Sequence, residues 1–193
     1  MSSRRAIAIL GTIAFVMVFA SVVFYAKWGV PAWAKRAPQT AAAPAPAPPA
    51  PPGRKIKARL FYVGDEGTRL TSVERDVAYG EGAEEQAREI VAAQIAPVVE
   101  PLVSAVPPGT TLRAVFITKN GDAYVDLSSE IRNAHPGGTV NELLTIYAIV
   151  NALTVNLPAV TSVQVLVDGK EVDTLAGHID LRRPLAKNLA WVQ

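Results

Sequence analysis

Apolar and polar positions change rhythm several times along the chain, and each change marks an element. Residues 6–26, "AIAILGTIAFVMVFASVVFYA", have no rhythm at all: 21 uncharged, mostly apolar residues in a row. At about 1.5 Å per residue a helix of that length spans about 30 Å, the thickness of a bilayer core. A cleavable signal peptide is the competing reading, because Ala32-Trp33-Ala34 has the A-x-A form. The apolar region of such a peptide runs only about 7–15 residues, which favours an uncleaved anchor. Tyr25, Trp28 and Trp33 suit its interfacial belt.

After the juxtamembrane residues comes "APQTAAAPAPAPPAPPG", residues 37–53, with seven prolines and seven alanines. Repeatedly fixed φ and missing amide donors predict an extended polyproline-type spacer, roughly 50 Å long at about 3.1 Å per residue. The division is therefore a short head (1–5), a transmembrane anchor (6–26), a juxtamembrane and Ala/Pro-rich linker (27–53) and a domain (54–193).

Within the domain, "KIKARLFYV" alternates, with Lys55, Lys57 and Arg59 on one face and Ile56, Ala58, Leu60 and Tyr62 on the other, which predicts a half-buried strand. Its basic face fits anionic lipid, wall polymer or nucleic acid, or more simply a solvated face whose lysines guard an edge. "RLTSVERDVAY" is a second extended segment. Gly82 opens a helix over "AEEQAREIVAAQIA", which Pro97 ends. "VPPGTTLRAVFIT" is a turn and a strand, joined to "DAYVDL" by Asn120-Gly121 as a two-residue hairpin. Thr139 and Glu142 form a T-x-x-E capping box at the start of a helix with Val140, Leu143, Tyr147, Val150 and Leu157, flanked by Ile146 and Leu153, as its apolar stripe; Pro158 ends it. Val163, Val165 and Val167 alternate into the Asp168-Gly169 turn and a last strand to Leu175. The predicted order is ββαββαββ, an α+β domain with one mixed, largely antiparallel sheet and two helices on one face.

Charge changes the picture at the ends. The net +2 conceals a basic N-terminal region, Arg4, Arg5, Lys27, Lys35 and Arg36, with no acid before Asp65. From Arg54 onward 14 basic side chains face 17 acidic ones. A mildly acidic domain argues against a nucleic-acid partner, whose binder carries its basic excess on the folded part. Arg4 and Arg5 compete with Lys27, Lys35 and Arg36 for the inside, and the very short head favours staying in the cytoplasm with the domain exported across the inner (cytoplasmic) membrane. There is no cysteine, which excludes disulfides, thiolate metal sites and cysteine nucleophiles.

Candidate chemistry is sparse. "YGEGAEE" has a G-x-G between strand and helix, but Glu81, Glu84 and Glu85 would repel a pyrophosphate there. "AHPGGT" places His135 and two glycines before a helix N-terminus, a possible anion cradle or simply a tight turn. Ser128 and Ser129 lack a G-x-S-x-G context. Glu171 and Asp173 share a strand face like paired glycosidase carboxylates, or like the wet face of any hairpin. His178 with a distant His135 falls short of a zinc set and is better read as tying the "AGHIDLRRP" segment to the domain through Asp180 or a backbone carbonyl. Tyr62, Tyr79 and Tyr124 could stack on sugars or be half-buried core.

The ordered segments "VERDV", "VPPGTTL", "AYVDLSSE", "LLTIYAIVNALT", "VTSVQVLVDGK" and "TLAGHIDLRRPL" resemble GerMN domains, the sporulation and spore germination domains, over residues 57–185. The resemblance implies an α+β fold similar to ring-building modules, no enzymatic activity, and no catalytic, cofactor or metal residues to carry over. It implies a role at the cell envelope in sporulation, germination or wall assembly, with envelope proteins or further copies of the chain as partners. Members are often lipoproteins; without cysteine, residues 6–26 must replace the lipid. The leading expectation is thus a membrane-anchored protein-assembly module. The alternatives are a peptidoglycan or wall-glycan binding module and, through Glu171 and Asp173, a wall hydrolase.

Overall fold

A strand whose backbone must be satisfied on both sides usually finds a second strand there; the first strand of this protein finds side chains instead, and that choice shapes the fold. The computed structural model describes residues 17, 19–24, 27 and 53–193. The head and nearly all of the anchor and linker lie outside these residues. Residues 17, 19–24 and 27 are helical, and among the described residues no helix is long and apolar enough to cross a membrane. The chain divides into two units, Met1–Ala50 and Pro51–Gln193.

The second unit begins with β1 (Lys55–Val63) and β2 (Leu70–Ala78), antiparallel from Lys55↔Ala78 to Val63↔Leu70. The expected alternation holds as far as Leu60, beyond which Phe61 is buried as well. Helix α1 (Ala83–Ile95) follows, then β3 (Leu112–Ile117), β4 (Asp122–Leu127), a short α2 (Glu130–Asn133), α3 (Thr139–Asn156), β5 (Ser162–Val167), β6 (Lys170–Glu171) and β7 (Leu185–Ala186). Strands β3 and β4 are antiparallel, and β4 and β5 run parallel with α3 in the crossover. The outer side of β5 is shared by β6 and β7.

The α+β class stands, but the single sheet does not: the β1-β2 hairpin is one sheet and β3 to β7 another. The physical reason lies on the outer side of β1. Asn156 accepts the Arg59 N–H at 2.8 Å and donates to the Arg59 carbonyl at 2.8 Å. Gln94 does the same for Phe61, at 2.9 and 2.7 Å. Val63 N–H then donates to the Val103 carbonyl at 2.9 Å. Carboxamides on the two long helices occupy the sites a neighbouring strand would take, so the hairpin ends there. Leu60, Phe61, Tyr62, Ile90, Val125, Ile149, Leu153 and Val165 are among the buried side chains, and each large apolar one contributes about 1.5–3 kcal/mol.

Two local expectations are also corrected. Gly121 takes a positive φ of 88° and Asn120 does not, so the β3-β4 connection is the longer 118–121 loop and not a two-residue primed turn. The Asp168-Gly169 turn, with φ of 50° and 75°, is of the expected two-residue kind. The cap of α3 is Gly138, without a side-chain hydrogen bond; Thr139 is already helical, and Glu142 is turned elsewhere. Of the expected stripe of α3, Ile146, Val150 and Leu153 are buried and Leu143, Tyr147 and Leu157 pack partly buried against the core, while Val140 is exposed; Glu142, Thr145, Ile149 and Ala152 are buried as well.

Candidate protein-binding surface

Pro97 stops α1, and the chain crosses to β3 through "PVVEPLVSAVPPGTT", residues 97–111, which is apolar for a connection. Two anchors hold it: the Val63–Val103 bond to β1, and the Thr145 hydroxyl of α3, which donates to the Ala105 carbonyl at 2.6 Å. The Thr110 hydroxyl closes the far end on the Pro107 carbonyl at 2.8 Å. Residues 103–108 therefore form a ridge with a groove on either side. The larger groove, about 570 Å³, is lined by Ile95, Pro97, Val98, Leu102, Val106 and Pro108, among others. The smaller, about 320 Å³, runs between the ridge and Val63, Pro136, Leu144 and Thr145. Neither groove has a charged side chain in its wall.

Val99 is 84% exposed and Val103 56% exposed beside these grooves. Solvent-facing apolar side chains around an apolar cleft offer docking area for another protein's side chains. No acid or base stands in either wall, and the Ser104, Thr110 and Thr145 hydroxyls there are spent on backbone carbonyls, so the arrangement is suited to holding apolar groups.

His135 sits behind the ridge. Its Nδ1 accepts the Gly137 N–H at 2.9 Å, which places the proton on Nε2, 3.2 Å from the Thr145 hydroxyl. Burial holds its pKa below the usual histidine value, against the opposing pull of the Glu142 charge. The Gly137 amide is thereby occupied, and the Gly137 carbonyl takes the Asn141 side chain at 2.8 Å; "AHPGGT" is a hydrogen-bonded turn.

Glu142 is the unexpected polar centre. It is fully buried on α3, and its two carboxylate oxygens accept the Leu175 and His178 N–H groups, each at 2.8 Å. Burial pushes its carboxyl up, but the backbone N–H groups of Ala176, His178, Leu175 and Ile179 together bring it below the usual range. The segment carrying His178 is thus tied by its backbone to Glu142. The His178 side chain is exposed, which corrects the expectation that the imidazole makes the tie. Asp180 pairs instead with Arg182 at 2.7 Å.

The other candidates disperse. Gly80 and Glu81 give their N–H groups to Gln86 and Glu85 of α1, at 3.0 and 2.6 Å. A Cβ on Gly80 would come within 2.4 Å of the Gln86 nitrogen, so the "GEG" glycine serves close packing. Ser128 accepts the Thr111 N–H at 3.0 Å. Glu171 and Asp173 are both exposed and belong to neither groove. The three tyrosines share no platform: Tyr62 is 1% exposed, Tyr79 lies under the Arg54 guanidinium, 4.0 Å from the ring centroid, and Tyr124 is half-buried on β4. On the basic face Lys57 pairs with Asp76 at 2.7 Å.

Set beside known proteins, residues 59–173 match the profile of the Germane family, described as sporulation and spore germination. No curated protein matches. Among solved structures, the first GerMN domain of the sporulation protein GerM from Bacillus subtilis is 18% identical, over 69% of this chain and 98% of that one, with a TM-score of 0.51. The tandem GerMN domains of the same protein are 18% identical over 70% of this chain and 46% of theirs, again at 0.51. A candidate lipoprotein from Clostridium perfringens is 24% identical over 69% of this chain and 88% of that one, at 0.49.

Proposed function

The chain belongs to the Germane family of sporulation and spore germination domains, and from that membership we propose that it is a non-catalytic assembly module of the cell envelope. Residues 6–26 hold it in the cytoplasmic membrane, the Ala/Pro tract spaces the domain from the bilayer, and the exported domain binds a protein partner. The observation that carries this reading is the ridge at 103–108, with exposed Val99 and Val103 beside two uncharged grooves. An enzyme would concentrate titratable groups in its cleft; here the walls are Val, Ile, Leu, Pro, Ala and Gly, with Ser, Thr and Asn as their polar members. Tethering strengthens such a contact by raising local concentration. The ring-building likeness belongs to the same proposal, with a second copy as one form the partner takes.

The test is the double substitution Val99→Asp with Val103→Asp in the full chain in its native membrane. Co-purification of a defined envelope protein, or of a tagged second copy, should fall at least tenfold, while the thermal unfolding midpoint stays within a few degrees. Undiminished association would defeat the proposal. Retention of the chain on purified sacculi, unaffected by these changes, would favour wall-glycan binding instead.

A further inference from the structure

Resting on that assembly reading, we propose a second contact of different chemistry: the open edge of β2 takes up one extended segment of a protein partner carrying Lys or Arg at alternate positions. Backbone direction defines the site. Leu70 donates its N–H to the Trp191 carbonyl at 2.7 Å and accepts the Gln193 N–H at 2.9 Å, so both its polar groups point away from β1. In an antiparallel pair every second residue does the same; Ser72, Glu74 and Asp76, opposite Phe61, Arg59 and Lys57, therefore also point outward. Beyond them the Ala78 carbonyl is taken by Gln86 at 3.0 Å. The edge is closed at both ends. Between the closures the backbone groups of Ser72, Glu74 and Asp76 have no partner among the described residues.

The contrast with β1 is what makes this edge informative. There the outward groups of Arg59 and Phe61 are each met by a carboxamide, and that of Val63 by Val103. The protein fills the three outward rungs of β1 from Arg59 to Val63, though not that of Lys57, and leaves a three-rung window on β2, which is where an added strand finds hydrogen bonds.

Charge selects the occupant. Lys57 and Arg59 stand opposite Asp76 and Glu74, forming a basic row beside an acidic one. Lys57 already pairs with Asp76, and Glu74 has no ion pair among the described residues. The next row outward is therefore matched by cations, because opposite charges on directly opposed positions stabilise a strand pair and like charges oppose it. A second copy is disfavoured by the same rule. The one antiparallel register in which both copies use all three rungs sets Glu74 against Glu74.

The experiment uses the isotope-labelled full chain in non-ionic micelles and three synthetic octapeptides: alternating Lys-Val, alternating Glu-Val, and the Lys-Val peptide N-methylated at every residue. Lys-Val should slow amide hydrogen exchange at Ser72, Glu74 and Asp76 by at least tenfold. Glu-Val should not, and the N-methylated peptide, with the same charge but no bonding edge, should not. Glu74→Lys should weaken Lys-Val binding at least tenfold, with the amide spectrum otherwise native. Equal protection by Glu-Val or by the N-methylated peptide, no protection by Lys-Val, or pairing of β2 with a second copy would each overturn the proposal. Val99→Asp with Val103→Asp should leave this protection unchanged, so the edge and the grooves stand or fall separately.

Discussion

Glu142 holds the 175–179 segment against α3, its two carboxylate oxygens accepting the Leu175 and His178 N–H groups. The T-x-x-E spacing points to a helix cap, but the carboxylate is buried and turned to the amides of residues 175–179. Replacing one of its oxygens by an NH₂ group sets donor against donor, so Glu142→Gln should cost about 2–3 kcal/mol in urea unfolding. Because the folded carboxyl lies below its usual range, its contribution is present above the unfolded value of about 4.3 and is lost as pH falls through the folded one. Wild type should lose stability in that window, and Glu142→Gln should lose less. His135 works in the same direction for a different reason. Burial favours the neutral imidazole, so its contribution is whole above the unfolded value of about 6.5 and is lost as pH drops below it. Urea midpoints between about pH 7.5 and 5.5 should therefore fall in wild type and flatten in His135→Gln, with Glu142 and His178 the charged or titratable neighbours that act on it. His178→Ala, by contrast, should leave the melting temperature within a degree or two, since the imidazole is exposed; a large drop would mean that the ring carries part of the tie.

At the scale of elements, bidentate carboxamides recur. Gln94 clamps Phe61, Asn156 clamps Arg59, Gln86 bridges Gly80 and Ala78, and Asn151 clamps Asn188 at 2.8 and 3.0 Å. Each joins a helix to backbone that no strand reaches. Gln94→Leu keeps the volume but orphans the Phe61 N–H and carbonyl, so it should cost about 2–4 kcal/mol and speed amide exchange at Phe61 before it does so at Val125. Equal exchange at both sites would mean that the clamp is dispensable. Most of the elements were legible because their signals are local: the alternation through Lys55–Leu60, the prolines that end α1 and α3, and the Asp168-Gly169 turn; the short α2 and β7 were not, and the strand expected to reach Leu175 ends at Glu171. The pairing of sheets was not. It depends on which side chains meet β1 across 33 and 97 residues of sequence, and a polar Gln or Asn within a helix does not say what it binds. Gln86, Ile90 and Gln94, spaced by four, did carry a signal: polar residues on a buried face need partners.

For the whole molecule, the surface proposed to bind a partner lies in a segment that the sequence pattern marks only as a break and a turn. Its signal was composition: Val98, Val99, Leu102, Val103 and Val106 are more apolar than a solvated connection requires. The proposed role requires that this segment meet another protein when the chain stands in its membrane. The direct measurement is photo-crosslinking in living cells from a diazirine amino acid placed at Val99, with Glu171 as the control position. The expected result is a discrete protein adduct from Val99, absent from Glu171 and lost when Val103→Asp is added. No adduct from Val99, or the same adducts from both positions, would contradict it.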